Sequence, residues 1–415
     1  MDDPQKRHRL FDHLAAAKVL CLFSLILGLF LPVPADLPAQ DMPRAIESLL
    51  GANDAMLVAG EHGEVCFAKN IDKKLIPAST LKVLTAMAAI HYLGPDYRFP
   101  TEFYADKKND LFIKGYGDPL LISETVANIA QVLKHRLDRV RDIVLDDSYF
   151  RHPIEIPGIA ADTRQPYNAP NGALCVNFNT VNFETKDGRI VSAEPQTPML
   201  PIALKRIREK KDAAAGRILL SGNIGDTRLY AGQLFRYFLD RAGLEAAGGI
   251  RAGRVQPRKV RLIYRHASDY PLSTVIEKLF KYSNNYMANQ ILLAAGARVY
   301  DPPATLEKGT RLLTHYCRTE LSINDIQVAE GSGISRNNRV SAKMLAKILD
   351  AFAPYYTLMP KTGRLYFKTG TLNGVHTRVG YIEGENRELY RFVILLNTKG
   401  KRTQPLISEI NKCIP

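Results

Sequence analysis

The chain has 415 residues, 46% of them hydrophobic and 24% charged, enough for one large core or for two to three units. A formal charge of +14 favours anionic partners, and five cysteines are too few for a disulfide scaffold. No cysteine pair has C-x-x-C or zinc-site spacing, so neither a redox pair nor a structural metal is indicated.

Residues 5–13 are mostly polar and basic, and VLCLFSLILGLFLPVPA follows as an apolar run ending in prolines and small residues. This order reads as a secretory signal peptide over 1–35, with a retained anchor as the other reading. Val33-Pro34-Ala35 and Leu37-Pro38-Ala39 are two cleavage patterns, and Cys21 behind Leu20 does not suit a lipoprotein. Export to the periplasm or cell envelope makes an anionic wall or membrane surface a better match to the charge than nucleic acid, and leaves peripheral membrane association open. It also leaves open one disulfide among Cys66, Cys175, Cys317 and Cys413.

In chain order, 42–50 reads as a short helix and 54–70 as a hairpin turning at Glu61-His62-Gly63. STLKVLTAMAAIHYLG is an apolar helix ending at Gly94, and 99–121 reads as paired strands around Lys107–Asp110. A helix over 124–137, a strand over 142–150 and a long loop over 151–172 follow. Residues 175–197 predict strands with a turn at Lys186–Gly188, and 205–216 a basic helix face before another short strand. A helix over 229–245 closes this mixed middle. The simplest assembly is α+β: residues 40–95 with 262–415 form one domain, and 96–261 are inserted.

Three short patterns carry chemistry. Ser79 and Lys82 lie three positions apart at the head of the first long helix, on one face, where a neutral amine could take the hydroxyl proton. Taken alone, Ser79 reads equally as a helix cap. The helical region 271–294 is interrupted at Ser283-Asn284-Asn285, either a polar turn or a proton-passing serine beside a peptide-holding amide. The strand LYFKTGTLNGV ends in Lys368-Thr369-Gly370-Thr371: glycine admits a substrate backbone, and the lysine and hydroxyls suit a carboxylate. A second Lys-Thr-Gly begins at Lys361, which the preceding Met359-Pro360 places in a loop, so Lys368 is preferred.

S-x-x-K, S-x-N and K-T-G in this order resemble the serine penicillin-recognising enzymes. Further blocks sharpen the likeness: LFIKGYGDPLL, IVLDDSYF, YNAPNGAL with NFNTV, SNNYMANQILL, EGSGISRNNRVS and FKTGTLNGV. They span about residues 45–400 and are similar to the D-alanyl-D-alanine carboxypeptidases of the peptidase S13, or low-molecular-mass class C, family. One departure is Glu330 in Glu330-Gly331-Ser332-Gly333, where the family usually has Asp.

The resemblance implies a transpeptidase-like domain, an antiparallel sheet flanked by helices, interrupted by an inserted α+β region. It implies hydrolysis of the terminal D-Ala from peptidoglycan stem peptides through an acyl-enzyme, and acylation by β-lactam antibiotics. Ser79 would be the nucleophile, Lys82 the general base and Ser283 the proton relay. Asn285, Lys368, Thr369, Gly370 and Thr371 would bind substrate, and the Ser79 and Thr371 backbone N–H groups would form the oxyanion hole. No metal or organic cofactor is needed. Cleavage of cross-linked stems and a non-catalytic wall-binding role are the alternatives.

Overall fold

Strands from the two ends of the chain meet in one sheet. The computed structural model describes residues 44–159, 165–209, 214–385 and 387–414. The leader predicted over 1–35 lies outside them. Among the described residues no helix is long and apolar enough to cross a membrane.

Helix α1 (Arg44–Leu49) leads into the hairpin β1 (Asp54–Ala59) and β2 (Val65–Lys69), and α2 (Lys82–Leu93) follows. Near the other end come β11 (Lys361–Thr362), β12 (Leu365–Leu372), β13 (Val375–Glu383), β14 (Leu389–Leu396) and α10 (Thr403–Cys413). They pair antiparallel in the order β11-β12-β13-β14-β1-β2. The sheet is covered on both faces, which explains the unbroken apolar run FVILL in β14. Val393 and Leu395 face the central core, while Phe392, Ile394 and Leu396 pack with α1 and α10.

The central core is built on α2, α6 (Leu272–Tyr282), α7 (Asn285–Tyr300), α8 (Leu306–Glu320) and α9 (Ala342–Phe352). Helix α2 is buried from Lys82 to Ile90. Val83, Leu84 and Ile90 there each contribute ~2 kcal/mol by burial, which offsets the cost of carrying a buried lysine. Gly94 ends the helix in a conformation with φ 87°.

The middle of the chain forms two smaller sheets. β3 (Pro100–Asp106), β4 (Leu111–Gly115), β5 (Ile143–Asp146), β9 (Ile250–Ala252) and β10 (Val260–Ala267) pair as β10-β3-β4-β5-β9, with β4, β5 and β9 mutually parallel. Helices α3 (Ser123–Lys134) and α5 (Ile224–Arg241) pack with this sheet. β6 (Thr180–Lys186), β7 (Arg189–Ser192) and β8 (Ala215–Leu219) form a three-stranded sheet beside α4 (Pro201–Arg208). Because β10 pairs with β3 through Ala267, the five-stranded sheet runs past the boundary expected after residue 261.

Three local expectations need correction, and the disulfide that the sequence left open is not formed. The strand expected over 142–150 stops at Asp146, whose carboxylate accepts the Ser148 N–H at 2.9 Å and turns the chain. The strand expected from Cys175 begins at Thr180, because Asn177, Phe178 and Asn179 adopt φ of 47°, 58° and 55°. Asn177 holds that turn, accepting the Ser123 N–H at 2.9 Å and donating to Tyr230 at 3.0 Å. Lys361 and Thr362 form an edge strand rather than a loop. Cys66, Cys175, Cys317 and Cys413 are all free thiols.

Candidate active site

The S-x-x-K segment begins not as an α-helix but as a 3-10 turn, Ala78–Leu81, that runs into α2 at Lys82. Three residues per turn put positions i and i+3 in line, so Lys82 stands directly behind Ser79. Lys82 Nζ lies 2.9 Å from Ser79 Oγ. The Ser79 side chain does not cap the helix, which removes the alternative reading left by the sequence.

The turn is held in a strained shape. Ala78, a non-glycine residue, has φ 49°. Around it, the hydroxyls of Thr80 and Thr377 both donate to Pro77 O at 2.7 Å. A Cβ on Gly333 would come 1.8 Å from Ala78 O, and one on Gly370 would come 2.8 Å from Ser79 N. Two backbones therefore touch the Ser79 turn, and each needs glycine there.

Lys82 is fully buried. Its ammonium nitrogen also lies 2.7 Å from Asn285 Oδ1 and 2.7 Å from Ser332 O. Burial first, then the nearby Lys368 charge, lower its pKa well below the usual lysine value, while Glu330 opposes them. The site thus favours a neutral amine.

Ser332 O is set by a loop wound around the buried Glu330 carboxylate. Glu330 accepts from Ser332 N and Oγ at 2.6 Å each, Gly333 N at 2.6 Å, and Asn338 Nδ2 at 2.9 Å. Asn289 of α7 donates to Glu330 at 3.1 Å and accepts from Gly331 N at 2.8 Å, locking the loop to that helix. The glycines and Glu330 mark this block in the sequence. Nothing there signals Ser332, which acts through a backbone carbonyl that every residue possesses.

The interruption at Ser283-Asn284-Asn285 is a corner between α6 and α7. Ser283 takes a left-handed conformation with φ 49°, and Asn284 caps α7 by accepting Met287 N–H at 3.0 Å. Asn285 is brought onto Lys82. Ser283 is not: it makes no hydrogen bond to Ser79 or Lys82, and instead lines a cleft of about 680 Å³ with Tyr282, Asn284, Phe178 and Thr197.

On β12, Lys368 and Gly370 turn to the buried side and Thr369 and Thr371 to the exposed side. Burial lowers the Lys368 pKa to about 8, and its Nζ donates to Thr369 O at 2.6 Å. Phe367 N–H points outward to Pro360 O at 3.1 Å. The two-residue alternation of strand hydrogen bonding directs the Thr369 and Thr371 N–H groups the same way, beyond the end of β11 where the edge is open. Lys361 is half exposed and paired with Glu383 at 3.2 Å, remote in role from this cluster.

The same architecture and sequence pattern recur in known proteins. The chain is 22% identical over 440 residues to a D-alanyl-D-alanine carboxypeptidase of Haemophilus influenzae, covering 90% of this chain and 91% of that one. A crystal structure of penicillin binding protein 4 from H. influenzae superposes with a TM-score of 0.73 at 20% identity, covering 89% of this chain and 98% of that one. Bd3459, a peptidoglycan endopeptidase of Bdellovibrio bacteriovorus, does so with a TM-score of 0.52 at 17% identity, covering 87% and 92%. These likenesses establish the α+β fold of the serine penicillin-binding proteins. The family model for D-Ala-D-Ala carboxypeptidase 3 matches residues 40–358. The chain belongs to the D-Ala-D-Ala carboxypeptidase 3 (S13) family.

Proposed function

We propose that the protein is a serine-type D-Ala-D-Ala carboxypeptidase that removes the terminal D-Ala of peptidoglycan stem peptides and is acylated by β-lactams. One observation carries the chemistry. A neutral Lys82 amine has two N–H donors and one lone pair. Asn285 Oδ1 and Ser332 O can only accept, so they take the two donors. Ser79 is the partner that can donate, so the lone pair faces its hydroxyl. That is the arrangement of a general base on a nucleophile.

In this reading Lys82 takes the Ser79 proton as Oγ attacks the carbonyl of the penultimate D-Ala. The Ser79 and Thr371 N–H groups donate to the developing oxyanion, from the head of a helix and from an open strand edge. Lys368, with Thr369 and Thr371, receives the substrate's terminal carboxylate, and Gly370 lets the peptide approach. The Asn285 amide nitrogen orients the acyl portion. Ser283 returns the proton to the leaving nitrogen, a role that rests on the family pattern. Water then releases the shortened stem and free Ser79. No cofactor enters these steps.

The cleft beside Ser283 favours a second activity on cross-linked stems. It adjoins the proposed site through Ser283, and its volume of about 680 Å³ offers room for a second stem peptide. A scaffold without catalysis is disfavoured by the intact Ser79–Lys82–Asn285 contacts.

We also propose export to the cell envelope, supported by the signal-peptide pattern, with residues from 96 to the end of β10 acting as the inserted unit. Mass measurement of the mature N-terminus from the native host tests export: an intact N-terminus with no leader removed counts against cleavage. Incubating purified protein with uncross-linked and cross-linked muropeptides tests the activity. Release of D-Ala by the wild type, and none by Ser79→Ala with an unchanged melting temperature, is expected. Penicillin labelling retained in Ser79→Ala overturns the assignment.

A further inference from the structure

We propose that a second cavity, at the carboxyl ends of the parallel strands β5 and β9, is a binding site for a phosphoryl-bearing anion. Its volume is about 680 Å³, and it is lined by Leu145, Asp147, Arg151, Arg228, Gly253 and Arg254 among others. It shares none of its lining residues with the cleft beside Ser283.

Three observations carry it. The first is position. β5 and β9 are adjacent and parallel, so the segments that leave their carboxyl ends lie side by side and bring residues about 100 positions apart together. Here the segment after Asp146 of β5 and the segment after Ala252 of β9 form the walls.

The second is charge. Three guanidinium groups from separate segments converge on the cavity, against one carboxylate, Asp147. Arg228 Nε bonds Asp147 at 2.8 Å, and His152 Nε2 lies 3.1 Å from the same carboxylate. Among the described residues, Arg151 and Arg254 have no ion pair or side-chain hydrogen bond. A dianion with three or more acceptor oxygens matches that excess of planar donors.

The third is rigidity. Gly253 N–H donates to Leu145 O at 3.1 Å, and Val255 N–H donates to the buried Asp146 carboxylate at 2.8 Å, so the backbone on both sides of Arg254 is tied to β5. Arg151 N–H donates to Ala304 O at 2.9 Å, anchoring the facing wall. Asp147 in turn fixes Arg228. The backbone that carries the exposed Arg151 and Arg254 side chains is thus fixed on both walls, so an anion between them has to order side chains and not loops.

The experiment is calorimetric titration of the full chain with pyrophosphate at low ionic strength, for the wild type and for Arg151→Ala/Arg254→Ala. A reference variant, Arg258→Ala/Arg261→Ala, removes the same charge from exposed positions outside the cavity. Loss of two charge-assisted contacts should weaken binding at least ~10-fold in the first variant, with the reference variant near wild type. All three proteins should label with penicillin at the same rate, which shows that they are folded. Sedimentation with phosphatidic acid vesicles, whose headgroup is a phosphomonoester, assigns the source: a loss confined to the cavity variant points to a lipid headgroup, and no difference to a soluble phosphorylated compound. Equal pyrophosphate binding by the wild type and the cavity variant overturns the proposal, as does equal weakening in both variants or no binding by the wild type.

Discussion

Lys82 donates to the side-chain oxygen of Asn285 across 2.7 Å, joining the start of α2 to the corner between α6 and α7. Asn285→Asp nearly preserves this shape but adds a negative charge beside the amine. That charge raises the Lys82 pKa and lowers the neutral fraction at a given pH. The rising limb of the penicillin acylation rate should move to higher pH. For every pH unit that the limb moves, the rate on its acid side should fall about tenfold. Stopped-flow acylation across pH checks this; an unmoved limb removes Lys82 as the base.

Glu330 acts on the same amine in the same sense as that added charge would, so removing its charge has the opposite effect. Its carboxylate raises the Lys82 pKa, so Glu330→Gln should move the rising limb to lower pH. The glutamine nitrogen cannot accept the N–H groups now bound to one carboxylate oxygen. Stability should fall by about 1–3 kcal/mol for each donor left unsatisfied. Glu330→Asp, which matches the usual family residue, should restore the limb. Chemical denaturation and the pH profile separate the two effects, since a purely structural role leaves the limb where it was.

Among the described residues the buried Lys368 side chain has no carboxylate partner, and burial lowers its pKa to about 8. A lowered lysine pKa means the cation is present below about 8 and lost above it. Recognition of the substrate carboxylate should therefore weaken as pH rises through this range, as an increase in KM for a D-Ala-D-Ala peptide. Lys368→Ala should abolish detectable turnover. Lys361→Ala, at an exposed edge, should leave kcat/KM within about twofold of wild type. The reverse result transfers the role to Lys361.

How much of this could be read in the residues depends on which atoms do the work. Ser79, Lys82, Asn285 and Lys368 would act through side chains at fixed spacings in the proposed mechanism, and such spacings are legible as pattern. The loop expected at Lys361 is an edge strand, so what distinguishes the two lysines is burial: Lys368 is buried and Lys361 is half exposed. Ser332 meets Lys82 through a carbonyl, and Thr371 would act through an N–H in the proposed mechanism; no residue type encodes either group. The left-handed turn at Asn177–Asn179 was missed because its strain is sustained by Ser123 and Tyr230, both distant in sequence. Apolar alternation foretold the sheet hairpins, whereas the course of β10 beyond residue 261 depended on pairing with β3, about 160 residues earlier.

Gly370 offers the sharpest test of the geometry around the nucleophile. A Cβ at this position would lie 2.3 Å from Thr377 Oγ1, 2.8 Å from Ser79 N and 3.0 Å from Ala78 Cβ. Thr377 can escape by rotating, but it would then lose its hydrogen bond to Pro77 O. The Ser79 backbone cannot move without disturbing the turn that places Oγ on Lys82 and the N–H on the oxyanion. Gly370→Ala should therefore cost more in acylation than in stability: at least ~100-fold in the rate, the scale of one lost oxyanion donor, against about 1–3 kcal/mol of overpacking. Measured penicillin acylation and urea denaturation decide between them. A variant that acylates at the wild-type rate would mean that β12 stands further from Ser79 than this packing requires.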